Sequence, residues 1–194
     1  MNDEIKKSLI IDGGRIVTKI IKRELLTSNG FRYPENTLYE DNAMQFIYCF
    51  ADKLEKVDEA LYYYRQGNYS ITRTKENPAT FDRLTTAKLM VENFKTRDIY
   101  EKYKEAVDAR FSFLYYIYTI GNILLMFRKF QLSRLNEIRL YMKENMPNYR
   151  ENQYFRREVS LSLKVLSKFC DIHPLLLYPA FLLIKILRIL KLMR

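Results

Sequence analysis

Two adjacent carboxylates, Glu40 and Asp41, are the residues of this chain best placed to do chemistry. They close the stretch Phe31-Arg32-Tyr33-Pro34-Glu35-Asn36-Thr37-Leu38-Tyr39 and open an apolar run, so they sit where a turn passes into a helix. A carboxylate held there can take the proton from an attacking hydroxyl, an effect typically worth ~10²–10⁴ in rate. The same position suits a purely structural task. Acidic residues in a first helical turn cap free N–H groups and meet the positive end of the helix dipole, worth about 1 kcal/mol. Spacing alone leaves both roles open.

Hydrophobic periodicity outlines the elements that must hold the pair. Residues 15–28 carry Ile16, Val17, Ile20, Ile21, Leu25 and Leu26 at mostly helical spacing, and Asn29-Gly30 supplies a stop, which predicts a helix. Phe31 to Tyr33 reads as a short extended piece, with Pro34 biasing Tyr33 towards the β region. From Glu40 to about Asp52, Ala43, Phe46, Ile47 and Phe50 fall along one face of a second helix. Lys56 to Tyr64 is strand-like, rich in Leu and Tyr, and leads to the polar turn Gln66-Gly67-Asn68. Strands alternating with helices predict part of a layered α/β domain over residues 1–105.

Beyond Pro78 the pattern turns helical, over about 81–94, 98–130, 133–144, 152–171 and 174–193. Ser133, Asn136 and Glu137 make a capping pattern, and Met146-Pro147-Asn148-Tyr149 breaks the run. Residues 106–194 are therefore expected to form a helical extension, and the chain to be helix-rich overall. Within it, Arg110 to Phe130 is apolar nearly all round, with Ser112, Thr119 and Asn122 as small polar interruptions. That suits the centre of a helical cluster.

Composition narrows the classes. Apolar residues make up 48% of the chain, enough for a core. Cys49 and Cys170 have no metal-ligand spacing and read as buried thiols of a reducing compartment. The single His173 precedes Pro174 and has no second histidine to work with, so no metal site is expected. The net charge of +10 is uneven: residues 1–107 hold 18 basic against 17 acidic side chains, and residues 108–194 hold 15 against 6. Such asymmetry points to an anionic partner for the C-terminal part, either nucleic acid or a phospholipid surface. No helix-turn-helix or RNA-binding signature accompanies it, so nucleic acid is not expected. The acidic start Met1-Asn2-Asp3-Glu4 is followed by no long apolar run, and no secretory signal is expected.

Several ordered motifs resemble one family. The segment Phe31 to Asp41, the run Lys19-Ile20-Ile21-Lys22-Arg23-Glu24-Leu25, and Leu61-Tyr62-Tyr63-Tyr64-Arg65-Gln66 with Ser70-Ile71-Thr72-Arg73 stand at matching spacing over roughly residues 10–105. Together they resemble the C-terminal half of the catalytic domain of family 2 glycosyltransferases, bacterial enzymes that build surface polysaccharides. Val17 stands where that family often carries an aromatic residue. The resemblance implies a partial GT-A nucleotide-sugar transferase layer, with Asp41 as the base that deprotonates the acceptor hydroxyl and Glu40 as its orienting neighbour. It further implies substrate contacts at Tyr39 and Ser70, and Arg65 and Arg73 as counter-charges for the departing diphosphate. In the family, the nucleotide and a divalent metal, Mg or Mn, are held in the N-terminal half through an Asp-x-Asp motif. This sequence has no Asp-x-Asp, and the matching region begins close to Met1. The resemblance therefore implies a truncated or split inverting enzyme that holds no cofactor itself and is inactive alone. Completed by the missing half, it would transfer a sugar from a nucleotide-sugar to a polysaccharide or lipid-linked glycan. The exposed edge left by that half would be covered by a partner such as that half, by a second copy of the chain or by the tail. The competing expectation is a non-catalytic membrane-surface or protein-interaction module that keeps the remnant.

The tail from His173 to Arg194 is an apolar run interrupted by Lys185, Arg188, Lys191 and Arg194. Spanning a bilayer would place Lys185 near the centre, costing about 2.5–3.5 kcal/mol on insertion scales. Lying in the interface avoids that cost and gains ~1 kcal/mol per basic residue near anionic lipid. Docking on the protein's own core is the third possibility. The expected partner of residues 174–194 is the anionic membrane surface, with the chain cytoplasmic and peripheral at the inner face of the cell membrane. Family members often carry basic C-terminal helices of this kind.

Overall fold

The computed structural model describes residues 1–13, 15–63 and 75–190, and every regular element among them is helical. In chain order the α-helices are α1 (Asp3–Asp12), α2 (Arg23–Thr27), α3 (Ile47–Phe50), α4 (Asp82–Lys95) and α5 (Tyr100–Ser112). They continue with α6 (Tyr118–Met126), α7 (Leu132–Asn145), α8 (Gln153–Glu158), α9 (Leu161–Ile172) and α10 (Tyr178–Ile189). Local chemistry sets several of their ends. The Asn2 side chain accepts from the Ile5 N–H at 2.9 Å to start α1, and Gly13, left-handed at φ 70°, stops it. Asn152 caps α8 by accepting from the N–H groups of Tyr154 and Phe155. His173 Nδ1 accepts from the Leu175 N–H at 3.2 Å, which gives the lone histidine a structural task between α9 and α10.

The apolar stretch in the middle of the chain forms the axis of the fold. α5 runs through a π-helical turn, Phe113–Ile117, into α6 without a break, and all five residues of that turn are buried. Helices α1, α4 and α8 pack on α5; α4, α7 and α9 close over the π turn; α10 lies against α6. One hydrophobic cluster joins Ile10, Phe46 and Phe94 to Tyr116, Ile138 and Phe181. Its buried polar groups are bonded. The carboxylate of Asp171 accepts from the hydroxyls of Tyr116 (2.7 Å) and Tyr149 (2.9 Å) and from Arg150 Nε (2.8 Å).

The α/β expectation for residues 1–105 is overturned: no strand and no sheet occur among the described residues, so the partial GT-A layer is absent. A strand exists only where a neighbour completes its ladder of N–H and C=O groups. Phe31 and Tyr33 are used instead as packing aromatics, with Phe31 meeting Tyr33 and Phe46 edge to face at 4.9 and 5.4 Å. The strand-like segment fares similarly: residues 52–63 are all exposed, with no adjacent strand among the described residues. The helix expected over residues 15–28 is also broken, into a 3₁₀ turn Ile16–Thr18, an extended link and the short α2. The β-branched residues Ile16, Val17, Thr18, Ile20 and Ile21 favour extended backbone. Ile20 finds no cover at all. The helix expected from Glu40 to Asp52 resolves into a 3₁₀ turn, Glu40–Met44, and the single turn α3. At α7 the start falls at Leu132 with no side-chain capping bond, one residue before the Ser133 pattern.

Among the described residues, no helix is long and apolar enough to cross a membrane. α10 instead leans on α6 with its charges turned inward: Lys185 Nζ donates to Phe127 O and an Arg188 Nη donates to Leu125 O. Both carbonyls belong to the C-terminal end of α6, where cations are favoured by the helix dipole.

Candidate functional site

Tyr39 is the hinge of the acidic turn. Its backbone is left-handed at φ 63°, as is that of Asn36 at φ 52°. A tyrosine holds that conformation only where its surroundings enforce it. Helix α4 does so along its length. The Leu38 N–H donates to Asp82 Oδ2 at 3.0 Å, Asn42 Nδ2 to Thr86 Oγ1 at 3.3 Å, and Asn93 Nδ2 to Ala43 O at 3.0 Å. The guanidinium of Arg83 lies over the Tyr39 ring, 4.1 Å from its centroid. Glu40 and Asp41 thus leave a clamped turn and open a five-residue 3₁₀ turn, Glu40–Met44, rather than a long helix. The dipole of so short a turn is small, which weakens the purely structural role for the pair.

Asp41 is half-buried, and none of the ion pairs among the described residues includes it. Burial, and then the neighbouring Glu40 carboxylate, hold its carboxyl above the usual carboxylate range, while Arg110 and Lys19 pull the other way. Two phenols share its field. Burial, followed by nearby carboxylates, pushes both Tyr33 and Tyr48 up to about 12, so both stay neutral donors. The Tyr33 hydroxyl is turned onto Met44 Sδ at 2.7 Å. The ammonium of Lys19 is pushed down by burial.

Arg110 supplies the other fixed charge. It enters from α5 and donates to Ile11 O at 3.2 Å. Gln45, with its amide nitrogen on Ile10 O at 2.9 Å, accepts from Arg110 Nε at 3.3 Å. The guanidinium also lies against Gly13: a Cβ added there would stand 2.1 Å from one of its nitrogens. The C-terminal glycine of α1 therefore does two things, ending the helix and making room for Arg110.

The structure brings together Tyr39, Glu40 and Asp41 of the residues expected from sequence. Arg65, Ser70 and Arg73 lie outside the described residues. Three cations near Asp41, namely Lys19, Arg83 and Arg110, are not marked for the site by sequence. Lys19 is visible there only as part of a motif, and no spacing rule links Arg83 or Arg110 to position 41. Among the described residues, no cluster of His, Cys, Asp and Glu could hold a metal ion. Cys49 and Cys170 are free thiols pushed up by burial, to about 12 and about 11. Two surface depressions, of about 480 and 310 Å³, flank α5 on the side of Lys104, and neither includes a residue of the acidic turn. Lys104 lines both of them.

What this arrangement can do is accept a proton from a hydroxyl brought to Asp41, beside fixed positive charge. Comparison of the chain with protein-family models, with curated proteins and with solved structures found no match, so the glycosyltransferase resemblance rests on the motifs of the chain itself.

Proposed function

We propose that this chain carries the acceptor side of an inverting sugar-transfer site, with Asp41 as the base that takes the proton of the acceptor hydroxyl. One observation carries the reading: the Asp41 carboxylate stands half-buried and outside any ion pair among the described residues, on a turn fixed by the left-handed Tyr39. Burial makes it a better proton acceptor than a solvated aspartate. The ordered motifs around it suggest the reaction class, with a nucleotide-sugar as donor and a polysaccharide or lipid-linked glycan as acceptor. Glu40 is its orienting neighbour. The nucleotide and its metal fall to an Asp-x-Asp segment, which these 194 residues do not contain. Transfer therefore needs a nucleotide-binding segment beyond these residues. The exposure of Leu54, Val57, Leu61, Tyr62 and Tyr63 along one segment supports such completion. The test is sugar transfer by the chain mixed with a nucleotide-binding, Asp-x-Asp-bearing glycosyltransferase half. Transfer that needs both polypeptides supports the reading, whereas unaided, metal-dependent binding of nucleotide-sugar by this chain contradicts it.

A second observation favours a place for the protein at a membrane surface. From Leu161 to Leu190 the outward side chains include Leu161, Val165, Phe169, Ile172, Leu183 and Ile186, while Lys185 and Arg188 face the protein. A helix with its charges inside and its leucines outside is built for an apolar neighbour. Residues 161–194 also hold six basic side chains against one acidic. That net positive charge favours an anionic bilayer over a second copy of the chain. The reading is peripheral attachment at the cytoplasmic face, where lipid-linked acceptors are met. Flotation with vesicles containing phosphatidylglycerol checks it: the chain should float with them, and Leu183→Glu with Ile186→Glu should stay behind.

A further inference from the structure

Arg83 is the guanidinium whose surroundings the fold explains least. Other partly buried arginines have their N–H groups spoken for. Arg97 donates to Asn29 O at 3.1 and 2.6 Å and to Asn93, Arg139 to Asp171 O at 2.9 Å, and Arg150 to the Asp171 carboxylate. Arg83 is held differently. It is stacked on Tyr39 at 4.1 Å, with the Tyr118 ring centroid 5.7 Å away, and among the described residues its side chain neither donates a hydrogen bond nor joins an ion pair. Stacking restrains the plane of the fork while leaving its in-plane donors unused.

A desolvated cation without a counter-ion is costly, and proteins keep one where a ligand completes it. Arg83 does not stand alone. Arg110 feels its charge, and Asp41 and Tyr118 act on both. The carboxylates in the neighbourhood are Asp12, Glu40 and Asp41, none of which forms an ion pair with either guanidinium among the described residues. Each guanidinium therefore feels the charge of Asp41 while no ion pair joins it to that carboxylate among the described residues. A planar fork matches a phosphate's oxygens two at a time.

We propose that Arg83, supported by Arg110, forms a phosphate-binding subsite beside Asp41 that takes the phosphate or diphosphate of the acceptor. The assignment to the acceptor rests on the sugar-transfer reading above; the anion site itself rests on the stacked, unbonded guanidinium. A phosphorylated acceptor would then be gripped by its anionic end while its hydroxyl meets Asp41. Such a grip raises the local concentration of the hydroxyl without asking the base to bind anything.

Calorimetric titration of the full chain with inorganic pyrophosphate tests the subsite. Arg83→Gln should weaken binding at least tenfold, and Arg83→Lys, which keeps the charge but not the fork, should fall between the two. Arg157→Gln, an exposed charge on α8 paired with Glu158, should leave affinity unchanged. The Nε–Hε resonance of Arg83 in the unsubstituted chain should shift on pyrophosphate addition, which covers the case of a poorly folding variant. No binding, an unmoved resonance, or equal losses in Arg83→Gln and Arg157→Gln would overturn the proposal. Glucuronate binding in place of pyrophosphate would do the same. A prenyl diphosphate and a nucleoside diphosphate separate the possible sources. Arg83-dependent binding of the first supports an acceptor phosphate, and of the second alone refutes it. Asp41→Asn should bind pyrophosphate at least as tightly while losing transfer, so failure of the subsite and failure of the base assignment give different results.

Discussion

Gly13→Ala should cost this fold far more than an ordinary glycine substitution, and the structure says by how much. Gly13 sits at φ +70°, where a side chain is strained by roughly 1–2 kcal/mol. A Cβ there would also lie 2.1 Å from an Arg110 nitrogen, 2.5 Å from its guanidinium carbon and 2.7 Å from the Gln45 carboxamide. The guanidinium must therefore shift away from Ile11 O and Gln45, losing charge-assisted hydrogen bonds typically worth about 1.5–3 kcal/mol each. Recovery of one bond leaves an expected loss of about 2.5–5 kcal/mol in all. Gly30 provides the control, being left-handed at φ +60° with nothing within 4 Å of an added Cβ. Gly30→Ala should cost only the backbone part, about 1 kcal/mol. Urea unfolding followed by far-ultraviolet circular dichroism measures both. Equal losses in the two variants would show that Arg110 is not packed on Gly13 and would remove the support for the charge arrangement around Asp41.

Other consequences can be checked with similar means. Asp171→Ala removes the shared acceptor of Tyr116, Tyr149 and Arg150 and should destabilise the chain by about 3 kcal/mol, read from the urea midpoint. Because the carboxyl of Asp41 is held above its ordinary value by burial and Glu40, its ionisation opposes folding. Asp41→Asn should therefore raise stability at neutral pH, and the gain should vanish as pH falls below the unfolded carboxylate's titration range; a gain that persists in acid contradicts this sign. The thiol of Cys170, fully buried and pushed up to about 11, should react with a thiol reagent at the rate of unfolding, while the half-buried Cys49 reacts first. Substituting both Lys185 and Arg188 by Met should loosen α10 from the end of α6, seen as faster amide exchange in residues 178–189.

Periodicity made the second half of the chain legible. The apolar stretch from Arg110 to Phe130 sits at the centre of the fold, and the helices near 81–94 and 133–144 occur as α4 and α7. Those segments carry their own information, since their spacing matches the face they bury. Residues 1–63 were less legible because their patterns presuppose neighbours. Lys56 to Tyr63 has strand chemistry but no ladder partner among the described residues, and residues 15–28 have helical spacing on β-branched residues that prefer extended backbone. At the site, the acidic pair was visible because it is local. The left-handed Tyr39 and the guanidinium groups of Arg83 and Arg110 were not, because each depends on contacts across the fold.

The base assignment to Asp41 is tested most directly by the rate of sugar transfer when the chain is completed by a nucleotide-binding half. Asp41→Asn, which keeps the shape of the turn, should lower that rate by ~10²–10⁴ with acceptor affinity little changed. A variant that transfers as fast as the parent would contradict the account.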